Sequence, residues 1–212
     1  MYRALTVARE FGSGGGHVAG IVAQRLHWRL LDSALISEIA RAAKVDPNLV
    51  RKYDEQVDSW VHRVSRRALW RGAFEGVAMA VETEIFDAET ARALSTSLIR
   101  EAYEQGDCVI VGRGGQCVLQ DRKDVFHVFI YAPWNEKVAR IRKRMPSEAH
   151  VEELIESTEW ARTQYVRLNF GCNRTDPHLY HMLISSALGE DAVVAAIICA
   201  MNVEGEGGRS TA

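Results

Sequence analysis

The chain has 212 residues, 47% hydrophobic and 25% charged, a globular composition with apolar residues enough for one well-buried core or for a core with a lid. A formal net charge of −2 gives no global attraction to nucleic acid or to an anionic membrane, which removes both as expected partners. Any anion site must therefore be local.

The N-terminus runs almost directly into Ala4-Leu5-Thr6-Val7-Ala8, a short buried strand, without the basic-then-apolar pattern of a signal peptide. No apolar run is long enough to span a membrane, and a cytoplasmic location is expected. Arg9-Glu10-Phe11-Gly12-Ser13-Gly14-Gly15-Gly16-His17 follows, and then a helix from Val18 to Leu26 with Val18, Ile21, Val22, Ala23 and Leu26 clustered on one face. A glycine-rich turn between strand and helix suits phosphate. Glycines take positive φ, their amides approach an anion closely, and the helix start adds partial positive charge.

The phosphate-binding consensus G-x-x-x-x-G-K-[ST] is met only in part. With Val18 and Ala19 marking the register, Arg9 stands at the first glycine, Gly14 at the second, Gly15 at the lysine and Gly16 at the hydroxyl. The missing charge must come from elsewhere, and Arg9 at the strand end is the nearest candidate. His17 is a weak substitute because imidazole is only partly charged near neutrality. The alternative is a glycine turn with no ligand.

Further along, Trp28-Arg29-Leu30-Leu31 reads as a second short strand, and Asp32 or Ser33 as the cap of a helix carrying Leu35, Ile36, Ile39 and Ala40. Asp46-Pro47 has the form of another helix start. The stretch from Val57 to Glu104 lacks proline and is rich in alanine, glutamate and arginine, so it is expected to be an inserted helical layer. Arg63, Arg66, Arg67 and Arg71 there form either a solvated face or a nucleotide-facing one.

Cys108-Val109-Ile110-Val111 is a buried strand ending in a second glycine turn, Gly112-Arg113-Gly114-Gly115, and Val125 to Tyr131 is a third buried strand. A basic helix from Glu136 to Arg144 follows, then a long helix from Glu148 to about Asn169 capped by Ser147, a late strand from Leu179 to Ser185 and a final helix from Glu190 to Met201. Asp176-Pro177 shapes a turn. Cys108, Cys117, Cys172 and Cys199 form no C-x-x-C pair and have no closely spaced histidines, so reduced, mostly buried thiols are expected and zinc is not. Apolar strands separated by helices predict a parallel sheet covered on both faces, with ligands at the carboxyl ends of its strands, where the two glycine turns meet.

The ordered set REFGSGGGHVA, LLDSALI, VIVGRGGQCVL, RIRKR and ARTQY resembles the cytidylate kinase-like family from about Tyr2 to about Met201. The resemblance implies an α/β P-loop nucleoside monophosphate kinase fold, three-layered, with a parallel five-stranded sheet, a helical monophosphate-binding insert at about 57–105 and a lid at about 140–170. One domain would then span 1–203, with 204–212 as a flexible tail. The GSGGG loop without lysine is typical of this branch.

By resemblance, Ser33 contacts the acceptor monophosphate, Asp32 is an acceptor-side or metal-side polar group, Arg113 grips the acceptor phosphate, Arg140, Arg142 and Arg144 begin the lid, and Arg162 is its second arginine. Helical spacing puts Arg140 and Arg144 one turn apart, able to clamp one phosphate chain. Cytidylate kinases carry an aspartate after the GR arginine to help read cytosine; Gly114 stands there instead. The implied reaction moves the γ-phosphoryl of ATP, with Mg2+, to a nucleoside monophosphate resembling CMP or dCMP. Gly12, Ser13, Gly14, Gly15, Gly16 and His17 would hold the donor, and Arg9, Arg140 and Arg144 would neutralise it. The magnesium ligand is not identified by the sequence. A rival from another class is a nucleotide-binding protein without turnover, whose insert responds to ligand or mediates self-association, as in a homodimer.

Overall fold

The computed structural model describes residues 2–32, residue 92 and residues 95–201. The expected helices at Ser33 and Asp46-Pro47, most of the 57–105 insert and the 204–212 tail lie outside the described residues. The described elements are β1 (Ala4–Arg9), α1 (Gly15–Leu26), β2 (Arg29–Leu31), α2 (helical over 95–105), β3 (Cys108–Val111) and α3 (Gly115–Val118). They continue with β4 (Val125–Tyr131), α4 (Trp134–Arg144), α5 (Val151–Phe170), β5 (Met182–Ser185) and α6 (Glu190–Ala200).

The five strands form one parallel sheet in the order β2-β3-β1-β4-β5. Alternation along β1 divides its side chains between two cores. Leu5 and Val7 join Val18, Val22, Val128, Ile130, Val193 and Ile197 beneath α1 and α6. Ala4 joins Leu98, Ile99, Tyr103 and Ile110 on the face covered by α2. Burial on both faces is why these strands read as unbroken apolar runs. Each fully buried aliphatic such as Ile110 or Ile130 contributes about 2–3 kcal/mol.

A third, smaller cluster packs α4 on α5 through Val138, Ile141, Val151, Leu154 and Ile155, and Phe11 of the first glycine turn lies against it. This cluster fixes where α5 begins. The helix was expected from Glu148 under a Ser147 cap, yet it starts at Val151, with no side-chain cap, because Val151, Leu154 and Ile155 must face α4 in register. α4 opens two residues earlier than expected, directly after Pro133, whose missing N–H costs nothing at a helix start. β5 is shorter than the expected strand. Pro177–Leu179 turns into a 3-10 helix capped by Asp176, whose Oδ1 accepts from the His178 N–H at 2.9 Å, and pairing with β4 begins only at Met182.

Candidate functional site: two glycine turns and an arginine cluster

β1 and β3 are neighbours, so their glycine turns leave the same edge of the sheet side by side, and the Gly112 N–H donates to the Val7 carbonyl at 3.0 Å. In the first turn Gly12 and Gly14 take φ of 80° and 79°. Ser13 is buried and its hydroxyl, donating to the Glu10 carbonyl at 2.8 Å and accepting from the Gly15 N–H at 3.3 Å, ties the turn shut from below. The amides of Gly12, Gly14 and Gly16 have no acceptor among the described residues. Gly14 and Gly16 are exposed, and a β-carbon built on either would meet nothing within 4 Å among the described residues. This is an open cradle of N–H groups at the start of a twelve-residue helix.

Gly15 is the opposite case. A β-carbon there would lie 2.7 Å from Cβ of Arg9 and 3.2 Å from Cβ of Ile130. The stem of Arg9 thus fills the position from which a consensus lysine would rise. Its head continues to the second turn, where a β-carbon on Gly112 would lie 2.0 Å from Arg9 Nη1. Arg9 therefore bridges the two turns, and its guanidinium has no hydrogen-bond acceptor among the described residues.

The Arg9 cation is crowded by its own kind. Burial, and then Arg162, Arg113 and Arg174, push its pKa down from 12.5 to about 9, and only the Glu159 carboxylate works against them. Burial likewise lowers Arg162 to about 10. Both remain charged at neutral pH. Among the described residues, four guanidinium groups around one carboxylate leave an excess of positive charge beside the two turns, a condition that favours an anion.

Each expected site residue has a definite place. Arg162 donates to the Arg9 carbonyl at 3.0 Å and pairs with Glu159 at 3.5 Å. Arg144 is exposed and lies over the Phe11 ring at 5.4 Å, as Arg162 does at the same distance. Arg140 does not share a phosphate clamp with Arg144. Its guanidinium donates to the Gly12 carbonyl at 3.3 Å, the Ser13 carbonyl at 3.2 Å and Ser186 Oγ at 3.0 Å, and pairs with Glu136 at 2.6 Å. Carbonyls point away from a cradle whose amides point in, so Arg140 braces the turn from behind. His17 faces out to Glu190 at 3.1 Å rather than standing in for a lysine. Asp32 ends the described stretch just after β2, at the same sheet edge, and Ser33 lies outside the described residues.

Arg113 takes φ of 54°, a strained value for a side-chain-bearing residue, and with Ser95 it works against burial, which raises the Tyr165 pKa. Next to it, a β-carbon on Gly114 would lie 2.2 Å from the Phe170 ring. The aspartate that cytidylate kinases carry here has no room.

Sequence reasoning missed Glu159, Arg174, Lys137, Tyr165 and Phe170 as site elements. Glu159 accepts from the Phe11 N–H at 2.6 Å and holds Arg174 at 3.0 Å. Arg174, 4% exposed, also donates to the Arg9 carbonyl at 3.0 Å. Lys137 pairs with Glu10 at 3.1 Å, and its backbone lies 3.1 Å from the β-carbon position of Gly12. Only Glu159 had a usable signal, its i,i+3 spacing from Arg162.

The sequence matches the cytidylate kinase-like family over residues 4–188. The chain belongs to this family. Among curated proteins none matches. An uncharacterized protein from Eubacterium ventriosum shares the fold with a TM-score of 0.68 at 18% identity, covering 95% of this chain and 99% of that one. An unliganded sugar kinase from a Janibacter species gives 0.51 at 13% identity, covering 96% of each chain. The cytidylate kinase-like chain therefore has a P-loop kinase fold, and family membership supports a phosphotransferase. Among the described residues no helix is long and apolar enough to cross a membrane, and no three His, Cys, Asp or Glu residues converge as metal ligands.

Proposed function

We infer that the protein moves the γ-phosphoryl group of ATP to a nucleoside monophosphate, with the first turn as donor site and the second as acceptor site. One observation carries the reading: Arg9 fills the place of the absent lysine and brings a guanidinium, without an acceptor among the described residues, between the two turns. Phosphoryl transfer asks for alignment and for positive charge that follows the migrating group, and both are present. The open amides of Gly14 and Gly16 would hold the donor phosphates, Arg9 the group in transit, and Arg113 the acceptor phosphate. Arg162 and Arg174 steer Arg9 by holding its carbonyl. α4 and α5 act as the lid, excluding water so that the donor is not hydrolysed.

The family resemblance suggests CMP or dCMP as the acceptor. With Gly114 barred from carrying a side chain, base reading at that position is gone, and the acceptor is gripped chiefly by its phosphate. Among the described residues no three metal-ligating side chains converge, and Glu10 is engaged by Lys137 and by the Ala132 N–H, so Mg2+ would enter chiefly with the donor phosphates. No step is assigned to the ion. Action in the cytoplasm on small nucleotides, without nucleic acid or membrane, agrees with the charge balance.

A coupled assay with ATP, Mg2+ and a panel of monophosphates tests the reading, and diphosphate product is the expected result. The glycines at the lysine and hydroxyl positions favour a second reading, nucleotide binding without turnover. Tight nucleotide binding with no diphosphate from any acceptor would establish that second reading and overturn the first.

A further inference from the structure

Two thiols lie where the end of α5 crosses the second glycine turn. Phe170, the last residue of α5, presses its ring on Gly114. Gly171 then turns the chain with φ of 68°, and Cys172 follows, its thiol donating to the Phe170 carbonyl at 3.5 Å. On the other side Cys117 sits in α3, its N–H donating to the Gly114 carbonyl at 2.8 Å. Cys172 is close enough to Cys117 to push its thiol pKa up beyond what burial alone does. Segments 114–117 and 170–172 thus meet where the Phe170 ring packs on Gly114, and each carries one thiol. The two remaining cysteines are elsewhere, Cys108 buried in β3 and Cys199 exposed on α6.

We propose that Cys117 and Cys172 are a reversible dithiol–disulfide site, oxidised by a peroxide and reduced by a small dithiol, that staples the end of α5 to the second glycine turn. Cys172 is half-buried and meets the oxidant first; Cys117 is 7% exposed and serves as the resolving thiol. The Cys172 thiolate attacks one peroxide oxygen, forming an S–O bond and breaking O–O, and the departing hydroxide leaves as water. The Cys117 thiolate then attacks the Cys172 sulfur, S–S forms, S–O breaks and a second water leaves. Two thiols are oxidised by two electrons and one peroxide is reduced to two waters. Burial and the neighbouring Cys172 hold the Cys117 pKa above the ordinary thiol range, which makes the second step slow. A small dithiol reverses the bond by exchange.

The functional consequence rests on the kinase reading. α5 carries Glu159, Arg162 and Tyr165, so a staple at its end restrains the helix that organises Arg9 and Arg113. The test separates the two claims. Purified protein is treated with hydrogen peroxide and analysed by intact mass and by non-reducing peptide mapping. The expected result is loss of two hydrogens and a peptide joining Cys117 to Cys172. Both are absent in Cys117→Ser and in Cys172→Ser, kept in Cys108→Ser and Cys199→Ser, and reversed by dithiothreitol. The oxidised form should melt several degrees higher, since the bond constrains the unfolded chain. A mass gain at Cys172 without the crosslink, or a crosslink to Cys108 or Cys199, would overturn the proposal. Those readouts hold whether or not the protein proves to be a kinase; in an active enzyme, turnover should fall on oxidation and return on reduction.

Discussion

The two glycine turns look alike in sequence and differ in what fills them. Each follows a buried strand and each uses left-handed glycines, yet nothing approaches within 4 Å of a β-carbon on Gly14 or Gly16, whereas Arg9 crowds Gly112 and Phe170 crowds Gly114. Glycine serves opposite ends in the two places. At Gly14 and Gly16 it leaves room beside the amides; at Gly112 and Gly114, as at Gly15, it lets the protein's own side chains come close. Arg9 belongs to both, its stem against Gly15 and its head against Gly112.

Removing that bridge should have the largest effect. Arg9→Ala is expected to lower kcat by about 10²–10³-fold, the scale of losing one charge-stabilising donor, with the fold retained by circular dichroism. Arg9→Lys should recover only part of the rate, because an ammonium lacks the planar fork that spans both turns. Unchanged kcat in Arg9→Ala would remove the bridge from the reaction.

Next comes the crowded turn itself. Gly114→Ala places a methyl group against Phe170 and forces a left-handed conformation on alanine, so a loss of about 2–4 kcal/mol is expected. At this chain length that is a fall in melting temperature of roughly 5–15 °C. Adding Phe170→Ala should make the double variant lose less than the sum of the singles, because one clash is shared. Strict additivity would show that Phe170 is not what closes the turn.

These variants also mark how far the sequence carried. The strands were legible because burial on both faces leaves uninterrupted apolar runs, and β4 ran from Val125 to Tyr131 as expected. The open turn was legible because its shape is set by its own glycines, at positive φ before a helix. The packed turn was not: Phe170 reaches Gly114 across more than fifty residues, and no local pattern announces that contact. Arg174 comes from an irregular segment without periodicity, and Arg140 was legible as an arginine on the right helix but not as a brace on carbonyls. The start of α5 was misplaced because a cap-like Ser147 competes with an apolar triplet that only the contact with α4 selects.

The floor under the packed turn should respond to acid. Thr6, whose Cγ2 lies 3.4 Å from the β-carbon position of Gly115, shares a 2.6 Å hydrogen bond with His127 Nδ1. Burial, and then the stacked His181, lower the His127 pKa from 6.5 to about 4. Below about pH 6.5 the unfolded chain takes up a proton that the folded one refuses, so stability is present above that pH, declines toward pH 4, and is fully lost below it. The loss should be on the order of 2–3 kcal/mol. Urea titrations between pH 7 and pH 4 would read it as a steeper fall in wild type than in His127→Asn; equal slopes would exclude His127 as the source.

The smallest effects are expected where the first turn is open, and they bear most directly on the contrast. Gly16→Ala adds a methyl group in empty space within the first turn of α1, so stability should hold or rise by up to about 1 kcal/mol through helix propensity. The amide survives, so nucleotide affinity measured by calorimetry should change only slightly. Gly14→Ala has the same room but a φ of 79°, and should cost about 1–2 kcal/mol from backbone strain alone. The ordering separates space from conformation: Gly16 tests room, Gly14 tests φ, and Gly114 tests both at once. A Gly16→Ala loss as large as that of Gly114→Ala would mean that the cradle is packed, and the distinction between the two turns would collapse.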